Sequence, residues 1–108
     1  MSKYFKEIEK NMDDSFLSKL DEAREFAGIP FIINSAYRSP EHNAKIGGKP
    51  NSSHLRGLAV DIKATDSRTR FNVLSALISV GFSRIGIADT FIHVDMDFDK
   101  SQNVTWTY

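Results

Sequence analysis

The sequence predicts an α+β domain: a small, mostly antiparallel sheet with helices packed on one face. Helix-period apolar patterns occur early and in the middle of the chain, at 14–27 and 65–81. Alternating, strand-like runs dominate the second half, at 58–63 and 91–97. The chain has 108 residues, the size of one ordinary domain, and we expect 1–108 to form a single domain.

The first half of the chain predicts two helices and one strand. The first helix is expected over about 14–27, where Gly28 ends the apolar periodicity. The run "FIINSAYR" predicts a short buried strand. The segment 39–45, "SPEHNAK", predicts a short helix, because Ser39 is a preferred N-cap residue and a proline fills the first helical position. The Gly-rich segment 46–53 is expected to be a loop.

The second half predicts a helix among four strands. The run at 58–63, "LAVDIK", alternates apolar and polar residues. Three further strands are expected at 83–87, 91–97 and 104–108, the last of which carries aromatic residues that either line a cleft or close the core. The intervening helix has an apolar stripe that we expect to face the sheet: Phe71, Leu74, Leu77 and Ile78.

Composition excludes several classes of protein. The formal net charge is zero, with 14 basic and 14 acidic residues, which argues against a nucleic-acid binder that works by bulk charge. There is no cysteine, so any metal must be bound by His, Asp or Glu. The charged start lacks the apolar segment of a signal peptide, and no apolar run reaches transmembrane length. We therefore expect a protein made in the cytoplasm, with no membrane insertion. We also expect it to be a monomer.

Alternation brings three metal-ligating residue types together. If Ile92 and Val94 face the core, His93 lies on the opposite face of the sheet, and the same reasoning applies to Asp61 in the earlier strand. Asp61 and His93 are close together if their strands are neighbours. His54 lies just before the first of these strands. Two imidazoles and one carboxylate, with a fourth position open to water, form the ligand set of a catalytic zinc site.

Each of these residues also has a plain structural explanation. His54 alone is consistent with a loop histidine, Asp61 with a solvent-facing strand residue, and His93 with a hydrogen-bonded sheet histidine. The order and spacing of the three residues together favour the metal site. His42, the remaining histidine, lies outside the pattern and is expected on a helix surface.

The segment Ser-Ser-His-Leu-Arg-Gly-Leu-Ala-Val-Asp (52–61), followed by Phe-Ile-His-Val-Asp (91–95), resembles a known signature. It is that of the zinc D-Ala-D-Ala carboxypeptidase-like peptidases (peptidase family M15, subfamily A), which share their fold with the hedgehog signalling domain. The upstream run "SAYRSPEHNAKIGGKPNSSH" is similar to the family's segment before this motif. The resemblance covers nearly the whole chain, so 1–108 would be a single zinc peptidase domain. Within this family, the chain is most similar to the phage or prophage endolysin-like branch, because the domain is short and stands alone.

The resemblance implies roles for five residues. His54, Asp61 and His93 would bind Zn²⁺ on the open face of the sheet. Arg38 would hold the substrate or the developing oxyanion through its fork of donors. Ser52 would donate or accept a hydrogen bond with the substrate.

The general base is the position where the sequence departs from many relatives. These carry Glu or Asp three residues before the last zinc histidine, and here that residue is Thr90. Asp95 is our preferred substitute, because it follows His93 by two residues on the same strand face. Asp89, in the turn before the strand, is the alternative. Asp95 has a second possible role, which is to orient a ligand histidine.

The resemblance implies a zinc metallopeptidase that hydrolyses an amide bond in the peptide stem of bacterial peptidoglycan, acting on the cell wall after release from the cytoplasm. Whether it cleaves a D,D, an L,D or an L-Ala-D-Glu bond, and whether it is a carboxypeptidase or an endopeptidase, stay open. The rival hypothesis is a zinc-stabilised, non-catalytic module that binds cell wall or protein, since fold alone does not determine function.

Overall fold

Three α-helices and one five-stranded sheet make up the fold in the computed structural model, which describes residues 2–108. The helices are α1 (Asp14–Ala27), α2 (Pro40–Lys45) and α3 (Ser67–Ser79). The strands are β1 (Ile33–Ser35), β2 (Ala59–Lys63), β3 (Arg84–Ile87), β4 (Phe91–Asp95) and β5 (Val104–Thr107). Short 3₁₀ turns cover Lys6–Ile8 and Ser53–Arg56. Within residues 2–108, no helix is long and apolar enough to span a membrane.

Local sequence signals set the helix boundaries. The Asp13 side chain accepts a hydrogen bond from the Phe16 backbone nitrogen at the start of α1, and Gly28 follows its end. Ser39 caps α2 in the same way, and proline is the first helical residue as predicted. The predicted bounds of α1 are therefore confirmed, whereas β1 covers only three residues of the expected strand and none of the three is buried.

The predicted inner face of α3 is confirmed for Leu74 and Leu77 but wrong for Phe71 and Ile78. Phe71 and Ile78 are 69% and 59% exposed, whereas Val73, Ala76 and Leu77 are fully buried. Leu77 lies at helical spacing both from Leu74 and from Val73, so the periodicity of the sequence does not choose between the stripe toward Phe71 and the stripe toward Val73. The structure places Val73 and Ala76 inward beside Leu77, where α3 packs against α1.

The sheet has the strand order β1-β2-β4-β3-β5. Three of its four neighbouring pairs are antiparallel, which confirms the mostly antiparallel sheet. The pair β3–β5 is parallel, and so the sheet is mixed. The sequence contains no direct signal for this pairing, because it depends on the path of the connection between β4 and β5.

The two faces of the sheet have different chemistry. Apolar residues of the central strands are buried in the core under the helices: Val60, Ile62, Ile85, Ile92 and Val94. In the β2–β4 register, Asp61 lies directly opposite His93. The pairing confirms the predicted adjacency of these two strands. Both side chains project from the other face of the sheet, away from the helices.

Candidate metal centre

Three side chains converge on the polar face of the sheet. His54 lies in the 3₁₀ turn Ser53–Arg56, Asp61 in the middle of β2 and His93 in the middle of β4. One ligand atom from each residue lies within 4.8 Å of the other two. The three residues predicted from their spacing are therefore together in space.

The hydrogen bonds of His54 fix which of its nitrogens faces the cluster. Its Nδ1 lies 2.8 Å from the Ala36 carbonyl oxygen, and a carbonyl only accepts, so Nδ1 carries the hydrogen. The lone pair of Nε2 then points into the cluster, 3.3 Å from Oδ1 of Asp61. Nε2 is buried and has no hydrogen-bond partner among the described residues. A lone pair and a carboxylate oxygen that face each other in a buried site fit a cation bound between them.

His93 faces the cluster through Nδ1, whereas His54 faces it through Nε2. Its Nε2 donates to Oδ2 of Asp95 at 2.7 Å, while Nδ1 lies 3.0 Å from Oδ1 of Asp61. A ligating histidine usually donates its second nitrogen to a carboxylate or a carbonyl, and both histidines here do so. The donor set of two imidazoles and a carboxylate suits Zn²⁺, so the residues present fit this metal.

The charges of the cluster stabilise one another. Burial by itself raises the pKa of Asp61, but its favourable interactions with the imidazoles of His54 and His93 outweigh it and hold that pKa well below its usual range. Burial lowers the pKa of His93, but the carboxylates of Asp61 and Asp95 outweigh it, and the net effect is a raised pKa. The site therefore favours an ionised carboxylate and a positive charge beside it.

Asp95 lies next to His93 with both of its oxygens engaged. Oδ1 accepts from Arg84 Nε at 2.7 Å and from the Asp97 backbone nitrogen at 3.2 Å, and Oδ2 accepts from His93. The residue is only 2% exposed. Burial raises the pKa of Asp95, but its bonds to His93 and Arg84 outweigh it and lower the pKa. This environment suits a carboxylate that accepts fixed hydrogen bonds from its neighbours. It is less suited to a carboxylate that exchanges protons near neutral pH.

The alternative base, Asp89, is in a different environment. It lies in the turn between β3 and β4, and its backbone oxygen accepts from Arg70. It is not among the residues that line the cleft over the metal-ligating cluster.

Arg38 and Ser52 both line this cleft. Nη1 of Arg38 donates to Asn43 Oδ1 at 3.0 Å, and its Nε is buried without a partner among the described residues. Gly48 makes room for this pair, since a Cβ at that position would lie 2.1 Å from the Asn43 oxygen. Ser52 Oγ accepts from the His54 backbone nitrogen at 3.2 Å and so caps the turn that carries the ligand.

The cleft has a volume of about 540 Å³ and extends beyond the predicted residues. Trp106 and Tyr108 form part of its wall, which agrees with the first of the two roles expected for the C-terminal aromatics. Arg84 also lines it, and sequence reasoning did not single this residue out. Strand alternation carried the signal: Arg84 and Gly86 share one face of β3, and Gly86 pairs with His93.

Comparison with models of known protein families gives a match. The model of a protein family described as Peptidase M15 matches residues 1–95, which include all three candidate metal ligands, His54, Asp61 and His93. No curated protein matches the chain.

Proposed function

The chain belongs to the peptidase M15 family, and we propose that it is a zinc-dependent peptidase that hydrolyses an amide bond in the peptide stems of bacterial peptidoglycan. The observation that carries this proposal is the convergence of His54 Nε2, Asp61 and His93 Nδ1 at the base of an open cleft. Each histidine is held through its other nitrogen, as expected for a prepared metal site.

His54, Asp61 and His93 would hold the zinc ion. Zinc bound in this way acidifies a water molecule to a pKa of about 7 and polarises a carbonyl group as a Lewis acid. The protein's own contribution is to orient the ligands, bind the peptide and supply hydrogen-bond donors. The Nη and Nε groups of Arg38 are suited to a carboxylate or to the oxygen of the scissile carbonyl.

The charge of the cleft supports a peptide substrate that bears carboxylates. The carboxylates that line it, Asp61 and Asp95, are matched by His93 and Arg84. Arg38 and Lys49 add two cationic side chains to the same cleft, and Lys100 adds a third, which lies 3.8 Å from Asp97. Stem peptides carry several carboxylates, so these cations would attract and position them.

We assign to Asp95 the orienting role rather than that of general base, because both of its oxygens already accept hydrogen bonds. A proton on Asp95 would require the loss of its bond to His93 or to Arg84. The base role of Asp95, and that of Asp89, stay competing predictions, and zinc binding and rate in an Asp95→Asn variant decide between them.

The endolysin-like role, action on the wall after release from the cytoplasm and the monomeric state are further parts of the proposal. They rest on the family resemblance and the composition of the chain, and the first two of them follow only if the peptidase activity is found.

The test is digestion of purified peptidoglycan by the zinc-loaded protein. We expect new free amino groups and soluble fragments, and the fragment masses would identify the cleaved bond. His54→Ala is the control, since it removes one of three ligands and should abolish both zinc binding and release of amines. Intact zinc binding with no new amines, from walls with either lysine or diaminopimelate cross-links, would contradict the peptidase proposal. Co-sedimentation of that protein with the wall would then favour the non-catalytic binding module.

A further inference from the structure

Arg84 is a largely buried arginine on the polar face of the sheet, and it belongs neither to the metal-ligating residues nor to the groups proposed to bind the substrate. Its side chain is 12% exposed and lies under the indole of Trp106, with 5.0 Å between the guanidinium carbon and the ring centroid. Nε donates to Asp95 Oδ1 at 2.7 Å, and Nη1 donates to the Ser101 backbone oxygen at 2.7 Å. The guanidinium group is therefore held on several sides and itself holds one carboxylate oxygen.

That carboxylate determines how the His93 ring is presented. Rotation of an imidazole by half a turn about its bond to Cβ exchanges the positions of nitrogen and carbon atoms in the ring. In the observed orientation Nε2 donates to Asp95 Oδ2, and Nδ1 points at Asp61. A flipped ring would place carbon atoms at both of these positions. The hydrogen bond to Asp95 therefore keeps a hydrogen on Nε2 and selects the orientation in which Nδ1 faces Asp61, so that Nδ1 is the nitrogen that can give up its proton to a metal.

Asp95 has its own rotational freedom, and Arg84 restricts it. The short bond from Nε fixes Oδ1, so that Oδ2 is directed at His93. Trp106 covers both Arg84 and His93, since its ring centroid is also 5.6 Å from that of His93. The contacts thus form a chain that begins on β3, passes through the end of β4 and ends at a candidate metal ligand.

We propose that Arg84 is a positioning residue for the metal centre, which acts through Asp95 to hold the His93 ring with Nδ1 toward Asp61. This inference rests on the zinc site of the proposed function and not on the peptide-bond chemistry. A zinc-binding protein without peptidase activity would still obey it.

A purely structural role for Arg84 makes different predictions. The bond to the Ser101 oxygen also ties β3 to the segment before β5, so loss of the side chain is expected to lower stability in either case. Only the positioning role links Arg84 to the ring orientation of His93 and to zinc affinity through Asp95.

The experiment compares zinc affinity and ring tautomer in matched variants. Zinc dissociation constants would be measured by competition with a chromophoric chelator for Arg84→Gln, Arg84→Lys, Asp95→Asn and the double variant Arg84→Gln/Asp95→Asn. The nitrogen shifts of the His93 ring would be recorded by NMR on the same zinc-loaded proteins. Arg68→Gln is the control, because Arg68 is an exposed arginine of α3 that does not line the cleft.

We expect Arg84→Gln to weaken zinc binding by up to roughly 10–100-fold, the usual effect of losing the partner of a ligating histidine, because it frees Asp95 to turn away from His93, and to mix the two ring tautomers. Arg84→Lys should recover part of the affinity, because it restores the charge but not the fork. In the double variant the effect of Arg84→Gln should be much smaller than alone, because both changes break the same chain of contacts.

Wild-type affinity and an unchanged His93 tautomer in a folded Arg84→Gln protein would overturn the proposal, as would full additivity in the double variant. If Arg84→Gln does not fold, an Arg84→Lys protein whose affinity and tautomer match wild type would overturn it equally. Failure of the wild-type protein to bind zinc would refute the metal site itself, which is a different outcome from all of these.

Discussion

At the scale of single residues, the site depends on which atom each side chain has left to offer. His54 has one nitrogen bound to the Ala36 carbonyl and one facing the cluster, and His93 divides its nitrogens between Asp95 and Asp61. A residue whose polar atoms are all engaged orients others, whereas one with a free lone pair can bind a metal. Asp95 belongs to the first group.

The Asp95→Asn variant tests this assignment. An amide keeps the size of the side chain but can turn a donor toward His93 Nε2, so the ring loses its acceptor. If Asp95 orients His93, we expect zinc affinity to fall by roughly 10–100-fold, with activity restored by excess zinc. If Asp95 is the general base, zinc should stay near one equivalent while the rate falls by roughly 10²–10⁴-fold. A metal titration and a rate measurement on one preparation decide the matter, with Asp89→Asn as the comparison. A dead Asp89→Asn beside a fully active Asp95→Asn would contradict both roles of Asp95.

At the scale of elements, a buried ionic cluster connects the chain after β4 to the 3₁₀ turn that contains His54. Asp97 is fully buried and accepts from Ser53 Oγ at 2.8 Å and from Arg56 Nη1 at 2.7 Å. Lys100 also donates to Ser53 Oγ, at 3.0 Å. The sheet alone positions two of the ligands, and this cluster positions the third.

Removal of the carboxylate in Asp97→Ala should therefore affect both stability and metal binding. Ser53 loses its buried acceptor, and an unsatisfied buried group of this kind costs about 1–3 kcal/mol in the free energy of unfolding. Arg56 contributes less to this cost, because it is 48% exposed and keeps its contact with Asp99. Zinc affinity should fall as well, because the His54 turn is less firmly held. Chemical denaturation and a zinc titration provide the two measurements. Asp99→Ala is the control, because Asp99 contacts Arg56 but is 77% exposed, and it should change the unfolding free energy much less.

The pairing of β3 with β5 leads to a second prediction at this scale. Gly86 on β3 faces Trp106 on β5, and a Cβ at Gly86 would lie 2.6 Å from the indole Nε1 and 2.9 Å from a ring carbon of Tyr108. Gly86→Ala should therefore displace the aromatic wall of the cleft. We expect a red-shifted tryptophan emission and a higher KM with little change in zinc content. An unchanged emission spectrum together with an unchanged KM would show that the wall tolerates the methyl group.

Sequence reasoning succeeded where local patterns decide the structure and failed where distant segments decide it. Alternation in β2 and β4 was enough to predict that Asp61 and His93 share a face, and the N-cap of α2 was evident from Ser39 and the following proline. The inward face of α3 depends on how closely α1 approaches, which periodicity does not encode. Arg84 was missed because its importance depends on Asp95, Ser101 and Trp106 meeting around it, and the parallel pairing of β3 with β5 that brings Trp106 there is not specified by any short segment.

At the scale of the whole molecule, a core on one face of a single sheet supports a charged cluster on the other. The domain has 108 residues and no cysteine, so it has a modest core and no disulfide. Bound zinc should therefore contribute visibly to stability through mass action. The pKa shifts of the ligands determine how that contribution changes with pH.

The metal-free and zinc-loaded proteins should respond to pH in opposite ways. The raised pKa of His93 means that its contribution to metal-free stability is full below the ordinary value of 6.5 and is lost as the pH rises through the folded-state pKa. Asp61 and Asp95 have lowered pKa values, so their contributions are full above the ordinary value of 3.8 and are lost as the pH falls. The cluster should thus stabilise the metal-free protein most between about pH 4 and pH 6.5.

In the zinc-loaded protein, stability should instead increase with pH over the upper part of this range. Zinc competes with a proton for His93 Nδ1 and requires the lone pair of His54 Nε2. The rise in melting temperature on zinc addition should therefore increase steadily from about pH 5 to about pH 8, even as the cluster's own contribution to the metal-free protein declines. Thermal unfolding with chelator and with excess zinc at each pH measures the difference. In His54→Ala the zinc-dependent increment should be small at every pH, because two remaining ligands hold the ion poorly. A zinc increment in the wild-type protein that is the same at both ends of this pH range would mean that the ion binds without displacing a proton, and therefore that these histidines are not its ligands.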